Sequence, residues 1–153
     1  MAGYHNSISD DQSRSICTRG VLEMKVEIFA LCDAATESQG KLNLLGTFDQ
    51  LVAGSVPVVH PACAVAIRLR FEVQEAVEHQ IRLHMVDPDG QPFMKSMGAA
   101  IRPRFGSDVS STAVNLILHL QRIKFDAFAD YALRLEVDDR EVASLPLRVA
   151  SLS

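Results

Sequence analysis

The stretch Ala64-Val65-Ala66-Ile67-Arg68-Leu69-Arg70-Phe71-Glu72-Val73 alternates apolar and polar residues with a period of two. Val65, Ile67, Leu69, Phe71 and Val73 fall on one face. Ala64, Ala66, Arg68, Arg70 and Glu72 fall on the other. Successive side chains of a strand point to opposite sides of the pleat, so this sorting predicts a half-buried β-strand. Working outward, residues 79–86 put Ile81, Leu83 and Met85 in one phase, and residues 112–120 do the same with Val114, Leu116, Leu118 and Leu120. Tyr131, Leu133, Leu135 and Val137 form a further inward face, as do Leu145, Leu147 and Val149 within 140–149.

Turn chemistry separates several of these runs. Asp87-Pro88-Asp89-Gly90 has an Asp that caps, a Pro that fixes φ and a Gly that accepts positive φ. Asp138-Asp139 reads as a tight hairpin turn. After the first turn the chain is expected to return as a short strand over 92–100, followed by a loop over 102–111. Residues 124–130 read as one helical turn or an irregular crossing.

The first structured run, 25–33, opens with Val26 and Ile28 against Lys25 and Glu27. It becomes apolar on both sides at Phe29-Ala30-Leu31-Cys32. A strand of that kind is covered on both faces, within the fold or by a partner. Residues 34–40 read as a connection and 41–48 as a second strand, with Gly46 as a bulge or point of close approach. Residues 49–61, punctuated by Gly54, Pro57 and Pro61, read as a long crossing. About eight short strands and no long helix predict an all-β protein: a two-sheet antiparallel β-sandwich, immunoglobulin-like. A closed barrel is the alternative, and the long crossing favours the sandwich.

At 153 residues with an apolar share of 48%, one domain with a full core is expected, over 24–153. Residues 1–23 are rich in Ser, Asp and Asn without periodicity, and are expected to be a flexible N-terminal extension, with Met24 as the natural start. There is no Trp and few aromatics, so the core is expected to be aliphatic. The formal net charge of -4 gives no footprint for nucleic acid. Arg102 and Arg104 are too few to change that and are expected on a solvated loop. No run of 18 apolar residues suggests a membrane span, and no secretory segment is visible. Cys17, Cys32 and Cys63 lack the spacing of a zinc site or a disulfide framework. Cys32 and Cys63 lie in apolar runs and are expected as buried reduced thiols, which favours a cytoplasmic location.

Candidate chemistry is thin. Asp87, Asp89 and Glu75 are a conceivable calcium cluster, but calcium takes six or more oxygens and the turn reading is simpler. His60, His79, His84 and His119 show no metal-ligand spacing and are expected at the surface. Ser107, Ser110 and Ser111 lack a nucleophile elbow, and Gly98 and Gly106 are too far apart to cradle a phosphate. No catalytic, metal or cofactor residue is assigned.

One family resemblance stands beside this. Met24-Lys25-Val26-Glu27-Ile28-Phe29 with Cys32-Asp33-Ala34-Ala35 resembles the opening of small bacterial proteins of domain of unknown function family 6941. Gly40-Lys41-Leu42, Gly46-Thr47-Phe48-Asp49, Pro57, His60-Pro61 and the run from Ile67 through Phe71, Glu75 and Glu78-His79 to Asp87-Pro88-Asp89-Gly90 follow in order, so the resemblance covers 24–149. It implies a compact sandwich and carries over no functional residue.

The expected function is a non-enzymatic module that binds a protein partner or itself. The motive is surplus apolar surface: Phe29 and Leu31 share the phase of Lys25 and Glu27, which makes them the candidate interface of a homodimer, and Ile117 and Val86 fall on otherwise polar faces. The pairing is expected through an edge strand across a two-fold axis or through the apolar phase of the first strand. Cover by Phe125 and Phe128 of the 124–130 segment is the competing explanation. A small-ligand or carbohydrate-binding module, or an enzyme with loop-borne residues around His60 or Asp49, are the alternatives.

Overall fold

The computed structural model describes residues 23–153. The expected extension therefore lies outside the described residues, apart from Glu23. Nine strands are present among those described: β1 (Lys25–Ser38), β2 (Lys41–Thr47), β3 (Gln50–Ala53), β4 (Val58–Glu72), β5 (His79–Val86), β6 (Met97–Ile101), β7 (Ser111–Phe125), β8 (Ala129–Val137) and β9 (Arg140–Ser151). They form two sheets, one in the order β2-β1-β4-β7 and the other in the order β3-β9-β8-β5-β6. The all-β, two-sheet reading holds. Two details of it do not: β3 lies inside the stretch read as a crossing, and it runs parallel to β9, Gln50 opposite Arg148 through Ala53 opposite Ser151.

The deciding stretch lies in β4, at the centre of the four-stranded sheet. Val65, Ile67, Leu69 and Phe71 are fully buried between the sheets. They meet Ile81, Leu83 and Met85 of β5, Leu133, Leu135 and Val137 of β8, and Leu147 and Val149 of β9. Val73 does not belong to that face: it is exposed, because the strand ends at Glu72 and a 3₁₀ turn over Val73–Glu75 follows. Phe125 is buried in the same core, since β7 continues to it without a helical turn, while Phe128 stays partly exposed.

Loops are fixed by local hydrogen bonds. The Asp87 carboxylate accepts from the Asp89 and Gln91 N–H groups, and Gly90 N–H donates to Asp87 O with φ +80. Asp138 and Asp139 both take positive φ, as a two-residue hairpin turn requires. Tyr131, at the start of β8, donates its hydroxyl to the Ala127 carbonyl at 2.9 Å. The Glu75 carboxylate accepts from the N–H groups of Glu23, Met24 and Glu72, which ties the start of β1 to the end of β4.

The first strand departs most from expectation. Its pairing with β4 shifts register between Val26 and Ile28, which marks a bulge at Glu27. A bulge adds one residue and reverses the phase beyond it. Val26 faces the core before the bulge, and Phe29 and Leu31 face it afterwards. Leu31 is only 3% exposed. Phe29 and Leu31 therefore do not lie on an outer face, contrary to expectation.

The outer face is instead formed by Cys32, Ala64 and Ala66, and the chain covers it itself. The run 34–40 is not a connection. β1 continues to Ser38 and turns at Gln39-Gly40, both with positive φ, into β2. The distal part of this hairpin packs Ala35 and Leu44 against Cys32, Ala64, Ala66 and Ile117. Its tip is held by the Gly40 carbonyl, which accepts from Arg68 Nη1 at 3.3 Å and Asn115 Nδ2 at 3.0 Å. Gly46 is the expected point of close approach: its φ is +67, and the Asp33 carboxylate lies where a Cβ would stand.

Candidate functional site

Each expected site residue has a definite place. Leu31 is core, and Phe29 is half-buried against the core. Both also line an open groove of about 400 Å³ between the sheets, closed on its other sides by Phe48, Asp49, Leu145 and Pro146. Asp49 is the single titratable side chain in that lining. His60 stands behind it, its ring 5.7 Å from that of Phe48, with a shielded Nε2. The groove thus brings no acid–base pair together.

The histidines are not uniformly superficial. His119 is exposed, whereas His79 is buried at 3% exposure. Its Nδ1 lies 2.6 Å from Asp138 Oδ2 and its Nε2 2.8 Å from the Glu75 carbonyl, and its ring stacks on Phe71. His84 is half-buried, 3.1 Å from the Glu136 carboxylate. One partner, Asp138, lies 59 residues away in sequence and the other, Glu75, only four, and no metal or catalytic spacing announces His79 as a core residue. Cys32 and Cys63 are buried free thiols, as expected. Burial pushes Cys63 up to about 11, with Cys32 and Asp33 adding to the effect, and burial followed by the Asp33 charge raises Cys32 as well. Protonated thiols of this kind are poor nucleophiles. Asp87 and Glu75 spend their carboxylates on backbone N–H groups, and among the described residues no three His, Cys, Asp or Glu gather to hold a metal ion.

Sequence reasoning expected an edge strand as a contact surface without saying which strand, and the topology shows that β7 is one. β7 pairs with β4 along its whole length, from Ser111 opposite Glu72 to Phe125 opposite Val58. Its other side has no strand partner among the described residues. The remaining sheet edges are short or interrupted: β3 has four residues, β6 five, and β2 contains Gly46. β7 has fifteen residues, and its first eleven, 111–121, carry no charge. Every residue from 111 to 118 is half-buried. Val114, Leu116 and Leu118 lean on the core, and Ile117 on the hairpin cluster. Distortion begins only at Arg122, with φ +53. Natural edge strands are usually blunted by charge, proline, a bulge or brevity, and this one has none of these over its first eleven residues. The signal was present in the sequence as a long uncharged run, but which strand lies at an edge is a property of topology.

Comparison with known proteins adds the following. No curated protein matches the chain. Among solved structures, it resembles part of an alkylpurine DNA glycosylase, AlkC, from Pseudomonas fluorescens bound to DNA containing an abasic site analog, with a TM-score of 0.48 and 8% identity over 84% of this chain and 31% of that one. It also resembles part of a β-glucosidase from Listeria innocua, with isofagomine (TM-score 0.46, 9% identity) and without it (0.45, 10%), over 85% of this chain and 16% of those. No helix among the described residues is long and apolar enough to cross a membrane. A family model matches residues 27–150, and the chain belongs to that family, the family of unknown function DUF6941.

Proposed function

We propose that this protein is a non-enzymatic, immunoglobulin-like binding module that engages a polypeptide through the open edge of β7. The observation that carries the reading is the uncharged run 111–121, half-buried from 111 to 118, in a fifteen-residue strand whose other side has no strand partner among the described residues. Such an edge presents a row of free N–H and C=O groups that a second strand satisfies, with alternate side chains supplying selectivity. The immunoglobulin-like assignment draws support from the parallel pairing of β3 with β9 and from Tyr131 bonding back to Ala127 at the corner before β8. The high thiol pKa of Cys63 and the absence of a paired titratable group in the groove favour binding over catalysis. Buried free thiols also favour a reducing compartment such as the cytoplasm.

Amide hydrogen exchange tests the reading. When a partner polypeptide binds, protection is expected on alternate amides of 111–121. Protection around Phe48 and Leu145 instead would move the site to the groove and favour a small apolar ligand. Free exchange in every state of the β7 amides that point away from β4 would end the proposal.

A further inference from the structure

We infer that the strand occupying the β7 edge is β7 of a second copy, paired antiparallel about a two-fold axis at Leu116. The inference rests on the β7 reading above and names its partner. Charge favours this occupant. Residues 111–121 contain no Lys, Arg, Asp or Glu, so two copies meet along eleven residues without opposing like charges. The midpoint of that window is Leu116. With the axis there and perpendicular to the sheet, Val114 faces the partner's Leu118 and Leu116 faces the partner's Leu116. The same packing phase that leans on each core then continues across the seam. Moving the axis two residues toward Phe125 sets Arg122 opposite the partner's Val114 and brings its left-handed backbone into the ladder. Moving it two residues toward Ser111 leaves Leu118 facing a residue outside the strand.

Symmetry favours it as well. A two-fold contact uses one patch on both subunits, so the patch must complement itself. The run Val114-Asn115-Leu116-Ile117-Leu118 does so: apolar core-facing residues meet their own kind, and Asn115 on the opposite face meets the partner's Ile117. The union joins two four-stranded sheets into one of eight strands, and it satisfies the longest open edge of the described structure.

The test uses the full chain. Light scattering and sedimentation against concentration are expected to show a monomer–dimer equilibrium. Ile117→Lys places two lysines at diagonal positions whose backbones lie about 7–8 Å apart, so like charges oppose one another across the seam. It is expected to weaken dimerisation at least tenfold while far-UV circular dichroism is retained. In a Cys17→Ser background, Leu116→Cys is expected to form an interchain disulfide on mild oxidation, because directly opposed residues lie within disulfide reach. Thr112→Cys, about 27 Å from its counterpart in this register, is expected not to. Equal cross-linking of both variants overturns the register. A wild-type chain that stays monomeric at all concentrations overturns the dimer. If β7 amides then become protected only with a different polypeptide, the binding-module reading survives without self-pairing. If the full chain is monomeric but residues 23–153 alone dimerise, the native occupant is the N-terminal segment and the inference fails.

Discussion

His79 sits between two acceptors, the Asp138 carboxylate on one ring nitrogen and the Glu75 carbonyl on the other. A neutral imidazole has one N–H and can donate to only one of them, whereas the imidazolium donates to both. Burial opposes the charge. The hydrogen bonds to Asp138 and Glu75 and the negative charges of those two residues outweigh it, and the pKa is raised above the ordinary 6.5. A raised folded-state pKa contributes stability that is fully present below pH 6.5 and is lost as pH rises through the folded value. Chemical denaturation from pH 6 to pH 8, below the range in which the thiols of Cys32 and Cys63 ionise in the unfolded chain, is therefore expected to show falling stability, with a slope of at most about 1.4 kcal/mol per pH unit for one proton. His79→Gln is expected to be less stable at pH 6 and to lack that slope; an unchanged slope would place the proton elsewhere. Packing gives a second expectation. Leu69→Ala, at a fully buried site, is expected to cost about 2–5 kcal/mol. Leu31→Glu is expected to unfold the protein rather than yield a folded monomer, because Leu31 is core. The residues legible in the sequence were those whose neighbours obey a period of two, such as Val65, Ile67, Leu69 and Phe71. His79 was not legible, because what makes it internal is a contact with a turn at the far end of the chain.

At the scale of elements, the legible features were those with a local chemical cause. Asp87-Pro88-Asp89-Gly90 forms the expected turn, and Asp138-Asp139 the expected hairpin. The bulge at Glu27 had no such cause, since no glycine or proline marks it, yet it turned Phe29 and Leu31 to the core face. β3 was illegible because four residues are too few to show a period. The second half of β1 was illegible because Ala34-Ala35-Thr36-Glu37-Ser38 has little strand propensity; it is held by pairing with β2 and by packing over the alanines of β4. Gly46 couples these pieces. Its φ of +67 costs a non-glycine residue about 1–2 kcal/mol, and an added Cβ would fall 2.5 Å from Asp33 Oδ2. Gly46→Ala is expected to lower stability by at least that amount in thermal or urea unfolding. Asp33→Ala combined with it is expected to recover only the steric part. Full recovery would show that the backbone at Gly46 is unstrained.

For the whole molecule, the two clusters of buried residues make separable contributions. The main core between the sheets contains no residue from 33 to 46. The smaller cluster, Cys32, Ala35, Ala64 and Ala66 with Leu44 and Ile117, exists only because the β1–β2 hairpin lies over the outer face of the four-stranded sheet. Small residues at Ala64 and Ala66 let the hairpin approach closely, and Arg68 and Asn115 anchor its tip. Cys32 and Thr47 are direct partners across the hairpin, so a two-residue turn can join them. Replacing residues 33–46 by Asn-Gly is therefore expected to leave a folded β-protein, since the main core is untouched. It would, however, expose an apolar strip of Cys32, Ala64, Ala66 and Ile117, and contiguous exposed strips of this kind promote association. Retained β-type circular dichroism with increased binding of a hydrophobic dye and concentration-dependent precipitation is the expected outcome. Loss of the fold would show that the hairpin is required by the main core. Unchanged dye binding and solubility would show that the alanine face needs no cover, and that the apolar run Phe29-Ala30-Leu31-Cys32 is explained by the inter-sheet core alone.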